Sequence, residues 1–445
     1  MGQNIMKKPK AIDLFAGAGG FSHGLWQAGF DIVGAIEIDK HACETYEYNI
    51  GKHICNEDIL EFSPSKLNKF MIEGGLINSK DEIDFIAGGP PCPGFSNIGR
   101  SKISSLIKSG DWDGSDSRHQ FIDDPRNKLF HEFVKYVKFF EPEYFLMENV
   151  NGMISFKNPD DKPIIQVIKK EFEDIGYNVQ IQVLNAANYG VPQNRKRIFF
   201  LGWKPGQEKP KFPKEEEGEI SSWEAICDLP DAWIGKNNPD KRQKLELSKM
   251  VPKLSNLGLN FQNEMRNGGT PTNNKKITNV VTLHRMRVVN PRDIGIFPLI
   301  KSGEFGKKVI FADLEPRIIN FPPPWRWNKS RNTVWNGISN GKKRKEYKWY
   351  NPGTFADKMR RIRGDKPSPT IVAHLTHDGY MFIHPRFERT ITVREAARLQ
   401  SFPDSFDFSS NGSVPWTKQF KQVGNAVPPI LSREIGLVLI RLLTK

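Results

Sequence analysis

The chain has 445 residues, of which 38% are hydrophobic and 26% charged, with four cysteines and a formal net charge of +14. That balance excludes a disordered chain, and the length corresponds to two or three domains at roughly 150 residues each. Cys43, Cys55, Cys92 and Cys227 form no CxxC pair, which argues against a disulfide scaffold or a common zinc module, and nothing approaches the roughly 18 apolar residues of a membrane span.

The start, MGQNIMKKPKAIDLF, is basic but lacks the apolar run of a secretory signal, and Met6 stands where a myristoylation signal wants Ser or Thr. A reducing, cytoplasmic setting is expected. The charge is unevenly placed. From Lys204 to Lys366 there are 33 Lys+Arg against 18 Asp+Glu, a net of +15, whereas the rest of the chain holds 32 against 33. Such a block attached to a neutral body fits a polyanion-binding module; a basic surface kept for solubility is the plainer alternative.

Residues 10–202 alternate short β-rich runs with helical patterns. Strands are predicted at Ala11–Phe15, Asp31–Glu37, Ile83–Ala87, Tyr144–Met147, Val179–Leu184 and Ile198–Gly202, with crossover helices such as Leu129–Phe140 and Ile164–Ile175. The alternation predicts an α/β fold with a doubly wound parallel sheet, whose ligands bind beyond the carboxyl ends of the strands. After Gly202 the texture becomes rich in Pro, Asn, Lys and Trp, as in Pro322–Trp327 and the Lys342–Lys345 run, so a second, irregular domain begins near Lys204. Regular patterning returns at Val393–Gln400 and in an apolar helix from Pro428 to Leu443.

Chemistry-bearing residues gather where the predicted strands end. The first strand leads into Phe15-Ala16-Gly17-Ala18-Gly19-Gly20, where small residues let a ligand approach the backbone. Glu37 follows Gly17 by 20 residues, the spacing at which a carboxylate meets ribose hydroxyls in nucleotide-binding folds. The spacing is not GxGxxG, which disfavours a dinucleotide, and the segment alone is equally a tight strand-to-helix turn. Cys92 lies in Gly88-Gly89-Pro90-Pro91-Cys92-Pro93, where prolines exclude helix and fix the thiol at the crevice rim. A thiolate there is a candidate nucleophile, while Cys43 and Cys55 fit small buried hydrophobes. Glu148, read as following the strand Tyr144–Met147, could give a proton to a ring nitrogen. Gln193, Arg195 and Arg197 fall at i, i+2 and i+4, which puts them on one face of an extended segment.

Taken in order, these segments resemble the DNA (cytosine-5)-methyltransferases of bacterial restriction-modification (type II) systems. The resemblance rests on DLFAGAGGFS at 13–22, Glu37, Asp58-Ile59, GGPPCPGFS at 88–96, DPRNKLF at 124–130 and Glu148-Asn149-Val150. It continues with QNRKR at 193–197, REAARLQSFP at 394–403 and QVGNAVPP at 422–429. It implies an S-adenosylmethionine-dependent methyltransferase fold with a mostly parallel sheet. Residues 1–203, completed by 415–445, would form the catalytic domain and 204–414 a smaller, irregular and basic target-recognition domain.

By the same resemblance, Phe15, Gly17, Gly19, Glu37, Asp58, Ile59, Pro91, Leu129 and Asn425 would line the S-adenosyl-L-methionine site, with Glu37 on the ribose and Asp58 near the adenine amino group. Cys92 would be the nucleophile, Glu148 and Arg195 would hold the base, and Arg197 would support them. Pro93 departs from the glutamine that many members carry. The segment from Ser96 to Asp123 matches the place where the family closes a loop over DNA. No metal is implied. Double-stranded DNA is the implied partner, with Arg326, Arg331, Lys342–Lys345 and Arg360–Arg363 as candidate contacts. The implied setting is a monomer in a prokaryotic cytoplasm, associated with the nucleoid, alongside a possible cognate restriction endonuclease.

The implied chemistry agrees with the residues. Carbon 5 of cytosine is a poor nucleophile until a thiolate adds at carbon 6, and both ring faces are reached only if the base flips out of the duplex. Two alternatives use the same scaffold: a tRNA cytosine-5 methyltransferase, disfavoured by the large basic block, and an idle DNA-binding homologue, disfavoured because Cys92, Glu148 and Arg195 are all present. A nicotinamide-dependent dehydrogenase would explain neither the Pro-Pro-Cys turn nor the basic block.

Overall fold

The computed structural model describes residues 8–91, 129–158, 160–232, 243–244, 253–273, 280–287, 289–306, 325–328, 333–336, 346–348, 359–376 and 379–445. Cys92, the 96–123 segment, residues 124–128, Arg331 and Lys342–Lys345, all singled out by the sequence, lie outside them.

In chain order the first half contains β1 (Lys10–Leu14), α1 (Gly20–Ala28), β2 (Asp31–Ile36), α2 (Lys40–Asn49), β3 (Ile54–Cys55), α3 (Pro64–Glu73) and β4 (Ile83–Gly88). These are followed by α4 (Leu129–Phe140), β5 (Tyr144–Val150), α5 (Ile164–Asp174), β6 (Asn178–Asn185), β7 (Gln193–Asn194) and β8 (Lys196–Trp203). The described strands form a seven-stranded sheet of order β3-β2-β1-β4-β5-β8-β6. From β3 to β5 every neighbouring pair is parallel.

One strand departs from the parallel direction, in keeping with the mostly parallel sheet that the resemblance implied: β8 runs antiparallel to both β5 and β6. Only residues 186–195 separate β6 from β8. That is too short for the crossover of about a dozen residues that a parallel return needs. The sheet is therefore mostly parallel. The two-residue edge strand β3 escaped prediction because it is too short to show a period. Glu148 also moves: β5 continues through it to Val150, so it lies within the strand, opposite Phe199, and not after its end.

Side chains of the sheet alternate between two apolar layers, as strand geometry requires. In β4, Phe85 and Ala87 face one layer and Ile86 the other, while a register shift after Ile83 turns that residue to the second layer as well. The second layer is closed by α3, α4 and α5 through residues such as Leu67, Phe133 and Phe172. The first is closed by α1 and by the last helix, α11 (Pro429–Leu443), which returns from the far end of the sequence. The α1–α11 approach is close: a Cβ on Gly24 would come 2.3 Å from the Pro429 carbonyl oxygen.

Beyond Trp203 the elements are short: α6 (Ser222–Ile226), β9 (Gln243–Lys244), α7 (Asn256–Asn267), β10 (Val280–Val281) and α8 (Pro291–Ile294). A three-stranded antiparallel sheet follows, β11 (Trp325–Asn328), β12 (Thr333–Asn336) and β13 (Glu346–Lys348), and then β14 (Ser368–Pro369), α9 (Val393–Leu399) and α10 (Trp416–Asn425). Parts of this half share the first apolar layer: Phe261 and Met265 of α7 and Phe402, Phe406 and Phe408 after α9 belong to it together with Phe21 and Leu25 of α1.

Here the REAARLQSFP segment acts as a clasp. Thr392 and Glu395 form a reciprocal cap on α9, and the fully buried Arg398 pairs with Asp228 at 2.9 Å and Asp404 at 2.6 Å. The two carboxylates offset the cost of burying this guanidinium. Among the described residues, no helix is long and apolar enough to cross a membrane.

Candidate active site

The glycine turn and the end of β2 face each other at the carboxyl edge of the sheet. Phe15, Gly17 and Gly19 take positive φ values of 61°, 56° and 95°, which bends the chain sharply from β1 into α1. For Gly17 the need is conformational, since an added Cβ would meet nothing within 4 Å among the described residues; for Gly19 it is also spatial, since a Cβ would come 2.8 Å from Ile50.

Glu37 closes the turn. One carboxylate oxygen accepts the Gly17 amide at 2.9 Å and the other accepts the Asp39 amide at 2.8 Å. Burial pushes its pKa up, and the two amides act against that shift. Beneath it, Asp13 is fully buried and accepts both the amide and the hydroxyl of Ser22, at 3.1 and 2.7 Å. Its Oδ1 has no hydrogen-bond partner among the described residues, and burial raises its pKa to about 7. Asp58 accepts the Leu60 amide at 3.0 Å beside buried Ile59. Leu129 is buried at the start of α4, whereas Pro91 and Asn425 are exposed.

The second half of the site lies on β5 and β8. Arg197 Nε stands 2.9 Å from Glu148 Oε1, with both side chains largely buried. A Cβ on Gly89 would lie 3.2 Å from Glu148 Oε2, so the carboxylate lies beside the segment that runs into Cys92. Asn149, itself buried, donates to the Pro90 carbonyl at 3.0 Å and anchors that segment from β5.

The two arginines make different contacts. Arg197 holds Glu148, while Arg195 Nη1 donates to the carbonyls of Ile371 at 3.1 Å and Gly424 at 3.2 Å. Burial lowers the Arg195 pKa, Arg197 adds to that shift, and Glu148 opposes it. Gln193 donates to the Leu399 carbonyl and to Gln400 and accepts the Ile371 amide, so Gln193 and Arg195 turn toward the 368–371 segment at β14 while Arg197 meets β5.

Asn149 and Gln400 had no assigned role in the sequence reading. Both stand in quoted motifs, Asn149 beside Glu148 and Gln400 within REAARLQSFP. Cys43 and Cys55 are buried, and burial pushes both thiols up to about 12, which makes them the small hydrophobes expected. Among the candidate DNA contacts, Arg361 is corrected. It is buried, with its guanidinium bonded to the carbonyls of Ile300, Phe297, His384 and Phe387 and to Glu388, so nothing remains to meet a phosphate. Arg363 is exposed and paired with Asp365.

A family model described as C-5 cytosine-specific DNA methylase matches residues 9–441. The chain belongs to that family. The methylase is 35% identical over 436 residues to the type II methyltransferase M.DdeI of Desulfomicrobium norvegicum, covering 96% of this chain and 87% of that protein. It is 30% identical over 459 residues to the type II methyltransferase M.AgeI of Thalassovita gelatinovora, covering 96% and 98%. A crystal structure of a prophage-encoded E. coli protein, 23% identical, superposes with a TM-score of 0.65 over 98% of this chain and all of that one, a likeness of fold. The protein is thus a DNA cytosine-5 methyltransferase, and family membership favours DNA over the tRNA-modifying and idle alternatives. A methylase of this family implies S-adenosylmethionine as methyl donor.

Proposed function

We propose that the protein is a site-specific methyltransferase that modifies carbon 5 of a flipped cytosine through a covalent Cys92 adduct, as the protective partner of a restriction endonuclease. The carrying observation is the Glu148–Arg197 pair at 2.9 Å beside Gly89, on the segment that leads into Cys92. The type II methyltransferase names of the relatives support the protective role.

The residues at the turn suit the donor. The space over Gly17 and the buried carboxylate of Glu37, with Phe15, Gly19, Asp58, Ile59, Pro91, Leu129 and Asn425 around them, would hold S-adenosylmethionine, which supplies an electrophilic methyl group on sulfur. Cys92 adds as thiolate to carbon 6 of the cytosine, and its electron pair passes through the ring to carbon 5. Glu148, steadied by Arg197, shares a proton with ring nitrogen 3 and so neutralises the charge that the addition creates. Arg195 holds the Ile371 and Gly424 carbonyls behind that pair. After carbon 5 is methylated, a base removes its proton and the carbon–sulfur bond breaks, which restores the ring and the free thiolate.

DNA recognition falls to the 204–414 region. Between residues 274 and 358 there are 18 Lys+Arg against 6 Asp+Glu, a net of +12, so the polyanion-binding charge is concentrated there. The enzyme acts as a monomer in a prokaryotic cytoplasm. The test is bisulfite sequencing of DNA from a host without cytosine methylation, expressing wild type and Cys92→Ser in parallel. Protected cytosines confined to one short motif, and only with wild type, are expected; protection that survives in Cys92→Ser would overturn the proposal.

A further inference from the structure

Lys421, on α10, reaches across to the start of α2 and pairs with Asp39, Nζ to Oδ2 at 2.7 Å. The other Asp39 oxygen caps α2 by accepting the His41 amide at 3.1 Å, and the Asp39 amide donates to Glu37 Oε1 at 2.8 Å. A second tie runs alongside: Gln422 donates to the His41 carbonyl at 2.8 Å. Of the two amides that orient Glu37, one therefore comes from the glycine turn and the other from a residue anchored by α10.

The lysine side chain is 47% exposed and the aspartate 24%, and pairs this wet add little to stability. Direction is what the pair supplies. Beside it, Gln422 holds the His41 carbonyl, and the charge of Lys418 on the same helix also acts on Asp39, but Lys421 is the α10 side chain hydrogen-bonded to the aspartate among the described residues. The last turn of the same helix carries Gly424, whose carbonyl receives Arg195, so the seat of α10 touches the donor side and the base side of the site.

We propose that Lys421 is a positioning residue for the methyl donor: through Asp39 it sets the direction in which the Glu37 carboxylate meets the ribose hydroxyls. The inference rests on the reading of Glu37 as the ribose ligand. Lys421 touches neither donor nor base and acts through Asp39.

The experiment is calorimetric binding of S-adenosylhomocysteine to the full chain without DNA, for wild type, Lys421→Met, Lys421→Arg, Asp39→Asn and the Lys421→Met/Asp39→Asn pair. Asparagine keeps the helix cap but not the ion pair. Lys421→Met and Asp39→Asn should each weaken binding by about fivefold to twentyfold, and together no more than the larger single loss, as expected for residues acting as one unit. Lys421→Arg should stay within about twofold of wild type, and melting temperatures should shift by no more than about 2 °C. With DNA, KM for the donor should rise while kcat at saturation stays near wild type. Wild-type affinity in Lys421→Met, or losses that multiply in the pair, overturns the inference. Glu37→Gln is the separate arm: wild-type affinity there overturns the ribose reading itself, whereas loss there with none in Lys421→Met overturns only the role of Lys421.

Discussion

Asn149 Nδ2 donates to the carbonyl oxygen of Pro90 at 3.0 Å, which ties strand β5 to the Pro-Pro segment two residues before Cys92. The bond is buried and joins two segments 59 residues apart in the chain. In Asn149→Ala the Pro90 carbonyl loses this donor and the approach to Cys92 loosens. A misplacement of about 1 Å costs on the order of 100-fold in rate, so kcat should fall between tenfold and 100-fold. Tritium transfer from labelled donor to DNA measures it, with S-adenosylhomocysteine binding unchanged as the control. Unaltered kcat would show that the bond does not position the cysteine.

Arg197 should be more sensitive than its exposure implies. Arg197→Met leaves Glu148 without the cation at 2.9 Å, and a positioned acid–base group contributes roughly 100-fold to 10,000-fold. A loss of at least about 100-fold in kcat is expected, with Arg197→Lys retaining more activity than the methionine variant. If Arg195→Met were the more damaging to kcat and Arg197→Met nearly silent, the assignment of the two arginines would be reversed.

Asp13 makes a pH prediction with a definite sign. Its carboxyl titrates at about 7 in the folded protein and near the ordinary value of 3.8 when unfolded, so between these values the folded state holds a proton that the unfolded state has released. Its contribution to stability is therefore fully present below about pH 4, falls as pH rises, and is lost above about 7. Asp13→Asn, which cannot ionise, removes that slope. Urea unfolding of both proteins from pH 4 to 8 should show the variant gaining on the wild type up to about pH 7 and holding a constant difference beyond. Parallel curves would refute the buried-acid account.

Gly424→Ala tests the seat of α10. A Cβ there would lie 2.3 Å from the Val372 carbonyl carbon and 2.4 Å from the Ala373 amide nitrogen, both backbone atoms that cannot swing aside. Overpacking of this kind costs about 1–3 kcal/mol, and here it also displaces the carbonyl that Arg195 holds. Thermal unfolding should register the destabilisation and the methyl-transfer assay a loss of activity larger than the unfolded fraction explains. An alanine variant with wild-type stability would mean that the two segments separate easily.

The sequence by itself determined the parts that local rules control. Alternating β-rich and helical runs specified six of the seven strands of the main sheet, with boundaries within a few residues, because strand and helix periods are local properties. The glycine turn and its carboxylate were also legible, since positive φ at Gly17 and Gly19 and a strand-end Glu37 leave a mark in residue type and spacing.

Tertiary structure alone decided the direction of β8, the continuation of β5 through Glu148, and which arginine meets that carboxylate. Arg195 and Arg197 are alike in sequence context. They part because β8 pairs with β5 and places Arg197 opposite Val150, while the carbonyls of Ile371 and Gly424, 176 and 229 residues away, come to Arg195. Arg361 illustrates the same limit. A run of basic residues looks like a surface, but the chain folds five acceptors around that guanidinium, and burial with satisfied hydrogen bonds is a property of contacts between distant segments that no local pattern encodes.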